Sequence, residues 1–254
     1  MSKRKIVLTT LLVLVAIGVM VRLGFWQLDR LAQRRAFNAQ VTAQMQAPPL
    51  TDLLGRQDLT GLGYRAVVVR GEYDFAQQVA LSNQEWQGQP GAHLITPLVV
   101  EGGPQAVLVD RGWIPYADVA PKNWSKFAEP GTVEIRGRIR LSQTTPIPIP
   151  SPTQRQDTWF RVDIAALQAQ VSHPLLPIYI TQSPEPTGKL LPYRSEPNIE
   201  LTEGSHLGYA IMWFALAAIL GVGYAGFAFD RRPITRRVTR RTANGERYLV
   251  IRGH

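Results

Sequence analysis

A run of 23 residues without charge, 207–229, constrains this chain more than any other feature. At about 1.5 Å per residue, a helix of that length reaches roughly 34 Å, which is enough to cross a hydrocarbon core of about 30 Å. His206 immediately precedes the run. The sequence therefore predicts a transmembrane helix over 206–229, with a lone imidazole at one boundary of the bilayer.

A second apolar segment lies near the amino end, after a basic tripeptide at 3–5. Its uncharged run ends at Arg22, whose long side chain can reach the polar surface from the end of a span, so we predict a transmembrane helix over 6–26. A cleaved signal peptide is the alternative interpretation. The length of the apolar run and the lack of a small-x-small cleavage pattern favour an uncleaved anchor.

The distribution of charge predicts the topology. Of the 28 Lys and Arg residues, three precede Ile6 and eight follow Phe229, so 17 lie between. Of the 19 Asp and Glu residues, 17 also lie in that central part, which is therefore neutral. Positive flanks stay on the cytoplasmic side, so we expect residues 1–5 and the basic tail 230–254 there, and residues 27–205 outside.

The same distribution bears on partners and on location. The basic tail is expected to lie on anionic lipid headgroups, and the neutral central part gives no basic surface for a nucleic acid. No mitochondrial presequence pattern precedes the first span, which favours a bacterial inner membrane with a periplasmic central domain.

The fold class that we predict is membrane α+β, with two transmembrane helices flanking a predominantly antiparallel β domain that contains one short helix. A helical stalk is expected over 27–47, a β-rich part over 64–182 and a loop over 184–205. Alternating apolar residues separated by glycine and proline indicate the strands. The expected strands are 64–73, 79–83, 93–101, 105–114, 132–142 and 176–181, the helix is 163–171 with Asp163 as its cap, and 146–152 is an extended proline-rich segment.

The sequence gives little indication of catalysis. The chain has no cysteine, so it has no thiol redox site and no disulfide. Its four histidines stand in no recognisable nucleophile or metal motif, and we therefore expect a protein that is not an enzyme. The segment 111–115 (RGWIP) has two interpretations: a glycine bend filled by tryptophan, which is favoured, or a contact surface formed by Arg111 and Trp113.

The start of the second span combines features that suit a flat macrocycle carrying a metal. At about 100° per residue, His206, Trp213 and Ala217 lie close to one line down the helix, with Tyr209 to one side and small residues below. Imidazole above, aromatic surface around and small side chains below would admit such a ring. An interfacial histidine among belt aromatics is the alternative, and residue chemistry by itself favours it.

Three segments together resemble the Surfeit locus protein 1 family. They are 23–31 (LGFWQLDRL) after the first span, 111–115 (RGWIP), and 206–210 (HLGYA) followed by Trp213 and Phe214. The resemblance extends over about residues 10–229, in the expected order. One position departs from the family pattern, because an asparagine commonly stands two residues before the histidine where this chain has Gly204.

The resemblance implies a role in the assembly of haem-copper cytochrome c oxidase. It implies transient binding of haem a with His206 as the metal ligand, and help with insertion into the catalytic subunit; proteins of haem a synthesis or delivery are possible further partners. With the resemblance, His206, Tyr209, Trp213, Trp26 and Arg22 are the expected cofactor-binding residues. Two rival functions remain: a membrane scaffold that stabilises an oxidase intermediate without haem, and a membrane-tethered periplasmic enzyme.

Overall fold

The computed structural model describes residues 3–56, 58–144, 154–184, 191–196, 199–230, 238–241 and 247–250. The chain divides into two compact units. One, the helix unit, consists of residues 1–36 with 202–254, and the other, the β domain, consists of residues 37–201. The predicted proline-rich segment 146–152 and five tail arginines, at 231, 232, 236, 237 and 252, lie outside the described residues.

The described helices and strands follow one another in a simple order. The α-helices are α1 (Lys3–Gln46), α2 (Ile164–Gln168) and α3 (His206–Asp230). Short 3₁₀ helices cover Thr60–Leu62, Phe75–Gln77, Tyr116–Asp118 and Pro121–Phe127. The strands are β1 (Ala66–Tyr73), β2 (Val79–Trp86), β3 (Gln89–Val100), β4 (Ala106–Pro115), β5 (Thr132–Leu141), β6 (Thr158–Trp159), β7 (Leu175–Gln182), β8 (Val238–Arg241) and β9 (Arg247–Val250).

Helices α1 and α3 pack against each other as an antiparallel pair in the helix unit. The rings of Phe25 and Phe214 meet edge to face, with centroids 5.3 Å apart. Towards the other end of the pair, Ile17 approaches Gly221, and Thr10 hydrogen-bonds to Tyr224. The face of α3 that contacts α1 includes Ala210 and Ala217, whose side chains are 1% and 6% exposed.

The outer faces of both helices are apolar and uncovered. Leu12 and Ile219, for example, are 66% and 68% exposed. Soluble monomeric proteins rarely expose an apolar surface of this size to water. Both helices are long and apolar enough to cross a membrane, which makes them candidate spans.

The strands of the β domain form a closed, barrel-like sheet. In the described part of the chain, β1 pairs with β5 on one side and with β3 on the other, so β1, β5, β7, β4 and β3 complete a ring. Strands β2 and β6 extend the sheet from β3. The pairs β4–β7 and β2–β6 are parallel, and the remaining pairs are antiparallel. The predicted β-rich, predominantly antiparallel domain with one short helix is confirmed.

The core follows from the alternation of side chains along the strands. Along most of each ring strand every second residue points into the barrel and is buried there, and most of these residues are aliphatic: Val67, Val69, Leu98, Val107, Val109, Ile135, Ile139, Ile178 and Ile180. Helix α2 covers part of the outer surface with Ile164 and Leu167. The carboxylate of Asp163 accepts a hydrogen bond from the Ala166 amide, which confirms it as the helix cap.

Three differences from the predicted elements have local causes. Strand β2 runs to Trp86, beyond the predicted 83, because Gln87 and Gly88 both adopt positive φ and make a tight hairpin turn to β3. Helix α2 is shorter than predicted. Strand β6 and the β8–β9 hairpin in the tail were not predicted, since both are too short to show a clear alternation.

Barrel closure depends on one glycine in β1. Gly71 pairs with Val100 of β3 and with Val133 of β5, so two strands approach it at once. A Cβ atom at this position would lie 2.1 Å from the carbonyl oxygen of Val99. Backbone cannot yield as a flexible side chain does, so a residue larger than glycine does not fit this junction.

We therefore expect Gly71→Ala to destabilise the β domain by about 2 kcal/mol or more, as overpacking at a rigid site does. Thermal unfolding of the full chain in detergent, followed by tryptophan fluorescence, measures the effect. Gly61→Ala is the control, because a Cβ there meets nothing within 4 Å. Equal melting temperatures for the two variants would contradict this account of closure.

Candidate functional site

His206 is the first residue of α3, and its imidazole is fixed by a residue of α1. The Nδ1 atom lies 2.8 Å from Oε1 of Gln27. A side-chain amide oxygen accepts hydrogen bonds and cannot donate them, so Nδ1 carries the proton in this pair. With the proton on Nδ1, the neutral form of the ring has its lone pair on Nε2, an atom through which a histidine can bind a metal.

The edge of the ring that carries Nε2 lies beside a residue without a side chain. A Cβ atom at Gly204 would lie 3.5 Å from Cδ2 and 3.7 Å from Nε2 of His206. Among the described residues, Nε2 has no hydrogen-bond partner. The imidazole is therefore held on one side and left available on the other.

The segment that leads into α3 is tied to α1 by two arginines. The guanidinium of Arg35 makes a two-pronged contact with the carboxylate of Glu203, at 2.8 Å for each oxygen. The hydrogen bond from Arg35 lowers the pKa of this carboxyl group. Arg34 donates from Nε to the carbonyl oxygen of Thr202 at 2.9 Å. These contacts fix the chain just before His206.

The other expected cofactor residues lie at different positions around the helices. Trp213 is partly buried and Tyr209 is half exposed, both on the same helix as His206. Arg22 and Trp26 are exposed and lie about 160° and 200° around α1 from Gly24, on the side opposite the contact with α3. Trp26 stacks instead beneath the guanidinium of Arg30, at 5.5 Å. The assignment of these residues to cofactor binding stays a prediction.

The pairing of Gln27 with His206 was not predicted from the sequence. A signal was available, because Gln27 follows the apolar stretch of the first predicted span and lies three residues after Gly24, on the face of α1 that contacts α3. A polar group in such a position needs a partner on the neighbouring helix.

Arg111, by contrast, belongs to the interior of the β domain. Its side chain is fully buried against the rings of Tyr73 and Phe75, with Cζ 4.9 Å and 5.0 Å from their centroids. It donates to Oε1 of Gln78 at 3.1 Å and to Oε1 of Glu129 at 2.6 Å, and it also bonds to the carbonyl oxygen of Phe127. This guanidinium closes one end of the apolar barrel core.

Trp113 is also buried, at 2% exposure, and anchors the segment that follows the sheet. It exchanges backbone hydrogen bonds of 2.9 Å and 2.8 Å with Tyr193. The ring of Tyr193 stacks on both Trp113 and Trp86, with centroids 6.0 Å apart in each case. The interpretation of Arg111 and Trp113 as an exposed contact surface is therefore wrong, because both side chains are inside the domain.

Comparison with known proteins identifies the family. The model of the SURF1 family matches residues 14–218, which include both His206 and Gln27. The chain is 28% identical over 222 residues to a SURF1-like protein of Rickettsia felis, covering 85% of this chain and 95% of that one. It is 26% identical over 211 residues to Surfeit locus protein 1 of Homo sapiens, covering 77% of this chain and 69% of the human one. The chain belongs to the SURF1 family.

The β domain of this SURF1 family member contains a close, largely buried histidine–carboxylate pair that the sequence did not indicate. His93 of β3 and Asp110 of β4 lie across the strand pair, with Nδ1 2.9 Å from each carboxylate oxygen. Burial lowers the pKa of His93, but the charge and the hydrogen bond of Asp110 outweigh it and raise the pKa overall. No hydroxyl group in the described residues bonds to this imidazole, and they contain no cluster of three metal-ligating side chains.

We expect Arg111→Lys to destabilise the β domain by about 3 kcal/mol, because the single ammonium nitrogen cannot occupy the positions of both terminal guanidinium nitrogens and leaves buried partners unpaired. Urea unfolding of the full chain, followed by tryptophan fluorescence, gives the difference. Arg136→Lys is the matched control, since that side chain is 76% exposed and the change should stay within about 0.5 kcal/mol. Unfolding of Arg111→Lys at the same urea concentration as the control would rule out this structural role.

Proposed function

We propose that this chain is an assembly factor for haem-copper cytochrome c oxidase that holds haem a transiently and assists its insertion into the catalytic subunit. Membership of the SURF1 family supports the oxidase part of the proposal. The observation that carries the haem part is the imidazole of His206, with Nδ1 bonded to Gln27 and Nε2 uncommitted beside Gly204.

The residues around His206 suit such a ligand. Nε2 of His206 would bind the iron, and the aromatic side chains of Trp213 and Tyr209 on the same helix would supply apolar surface to the macrocycle. Haem a brings the redox iron that the oxidase needs, and this chain contributes only binding and orientation. No bond of the haem has to be broken, so the proposed role is non-enzymatic.

Transfer to a partner requires that holding be reversible. A single axial histidine on a helix with an exposed apolar face supports this, because the partner can approach the cofactor from the side that the chain leaves open. The catalytic subunit of the oxidase is the proposed recipient. Proteins that make or deliver haem a are the proposed donors.

We further propose that the chain lies in a bacterial inner membrane, with both termini in the cytoplasm and the β domain in the periplasm. The support is the excess of positive charge on the two tails and the neutrality of the part between the candidate spans.

The chain contains no cysteine, so single-cysteine variants report topology without background. We expect a membrane-impermeant maleimide to label Lys122→Cys in intact spheroplasts, because Lys122 is exposed on the β domain. His254→Cys should be labelled only after the membrane is permeabilised. The unsubstituted chain is the control, and labelling of His254→Cys in intact spheroplasts would contradict the proposed orientation.

Absorption spectra of the protein purified from cells that make haem a test the main proposal. We expect a haem a spectrum in the unsubstituted protein and its loss in His206→Ala. His173→Ala is the control, because that histidine lies in the β domain and its loss should leave the spectrum unchanged.

Two other outcomes would overturn the haem proposal as stated. A spectrum that survives His206→Ala would show that another residue holds the iron. A protein that never carries pigment, yet supports oxidase maturation, would act as the scaffold that stabilises an assembly intermediate without haem.

A further inference from the structure

We propose that Gln27 is a positioning residue for His206, which selects the imidazole tautomer with a proton on Nδ1 and a lone pair on Nε2. The selection is a property of the chain without any ligand. The role of this lone pair as a ligand to haem iron rests on the proposed function.

The hydrogen bond between the two helices supplies the selection. A neutral imidazole has two tautomers, and the partner of one nitrogen decides which of them is present. Oε1 of Gln27 is an acceptor at 2.8 Å from Nδ1. In the opposite tautomer the lone pairs of Nδ1 and Oε1 would face each other at that distance, which is repulsive, and only a 180° turn of the Gln27 amide would relieve the repulsion.

The pair is held in place by contacts on both sides along the helices. On one side, Gly24 lies against the ring of Phe214 so closely that a Cβ atom would be 2.6 Å from its Cε1. On the other side, the bidentate contact of Arg35 with Glu203 fixes the chain three residues before His206. These two contacts fix the position of α1 along α3, and they therefore keep Gln27 opposite His206.

The choice of an amide has a consequence for release. Groups that accept a hydrogen bond from a metal-ligating histidine orient it and increase its donor strength, and a carboxylate does so more strongly than an amide. An amide therefore orients His206 without the extra donor strength that a charged partner would give. This suits a ligand that must hold its cargo and then release it.

The direct test is the tautomer of His206 in protein that has never met haem a. We propose ¹⁵N NMR of the full chain, labelled at histidine, made in cells without haem a synthesis and studied in lipid nanodiscs at pH 8.5. The His206 signals are assigned by their loss in His206→Ala. We expect a protonated Nδ1 and an unprotonated Nε2 in the unsubstituted chain.

Gln27→Leu should abolish this preference, since leucine accepts no hydrogen bond, and the proton should move to Nε2 or be shared between the nitrogens. Gln33→Leu is the matched control, because Gln33 lies on the same helix, is exposed and bonds to Arg30. A protonated Nε2 in the unsubstituted chain, or the same tautomer in Gln27→Leu, would overturn the proposal.

Titration of the purified chain with haem a provides the second measurement. We expect Gln27→Leu to weaken binding roughly 10- to 100-fold, as the loss of a partner to a metal-ligating histidine does, and Gln27→Glu to retain or strengthen it. The two readouts separate the failures. The expected tautomers without any haem binding would refute the proposed function and leave the positioning role supported, whereas haem binding that is unaffected by Gln27→Leu would refute the role of Gln27 in holding the ligand.

Discussion

The close approach of α1 and α3 determines the geometry of the candidate site. Neither helix can bury its whole apolar surface against the other, so their contact is limited to one narrow face on each. That face is made of small residues with a few large ones inserted between them, as Gly24 against Phe214 and Gly221 against Ile17 illustrate. Because apolar helices in lipid gain little from burial against each other, such packing and the polar pairs at its ends decide the register. The register in turn brings Gln27 opposite His206.

A different constraint governs the β domain. A five-stranded ring needs points where backbones come closer than side chains permit, and Gly71 occupies one of them. The interior of so small a barrel is filled by aliphatic side chains along most of its length and by the guanidinium of Arg111 at one end. The two terminal nitrogens of the buried cation donate to Glu129, to Gln78 and to a main-chain carbonyl, and these hydrogen bonds offset part of the cost of its desolvation. The segment 111–115 thus has a structural role in the interior of the β domain.

Sequence patterns predicted the secondary-structure elements more accurately than the tertiary contacts between them. Alternation of apolar residues located the ring strands within a few residues, and the carboxylate at Asp163 located the start of α2. No local pattern encodes the contacts between residues that are separated in the chain. Examples are the closure of the sheet, the backbone hydrogen bonds between Trp113 and Tyr193, and the ion pair of Arg111 with Glu129. At the candidate site, composition predicted that Trp26 and Arg22 lie near the end of the first candidate span. It did not give their direction around the helix, which depends on the face that α1 turns to α3.

Gly204 connects the backbone of the site to its chemistry. Its φ of +69° lies in the left-handed region, which glycine adopts freely and which asparagine tolerates better than most other residues. The asparagine that commonly stands there in the family and the glycine of this chain therefore satisfy one backbone requirement. They differ in what lies beside Nε2 of His206, where glycine leaves space and asparagine would bring an amide. The turn before α3 is thus set by its backbone conformation, and the residue at this position can vary between those that adopt that conformation.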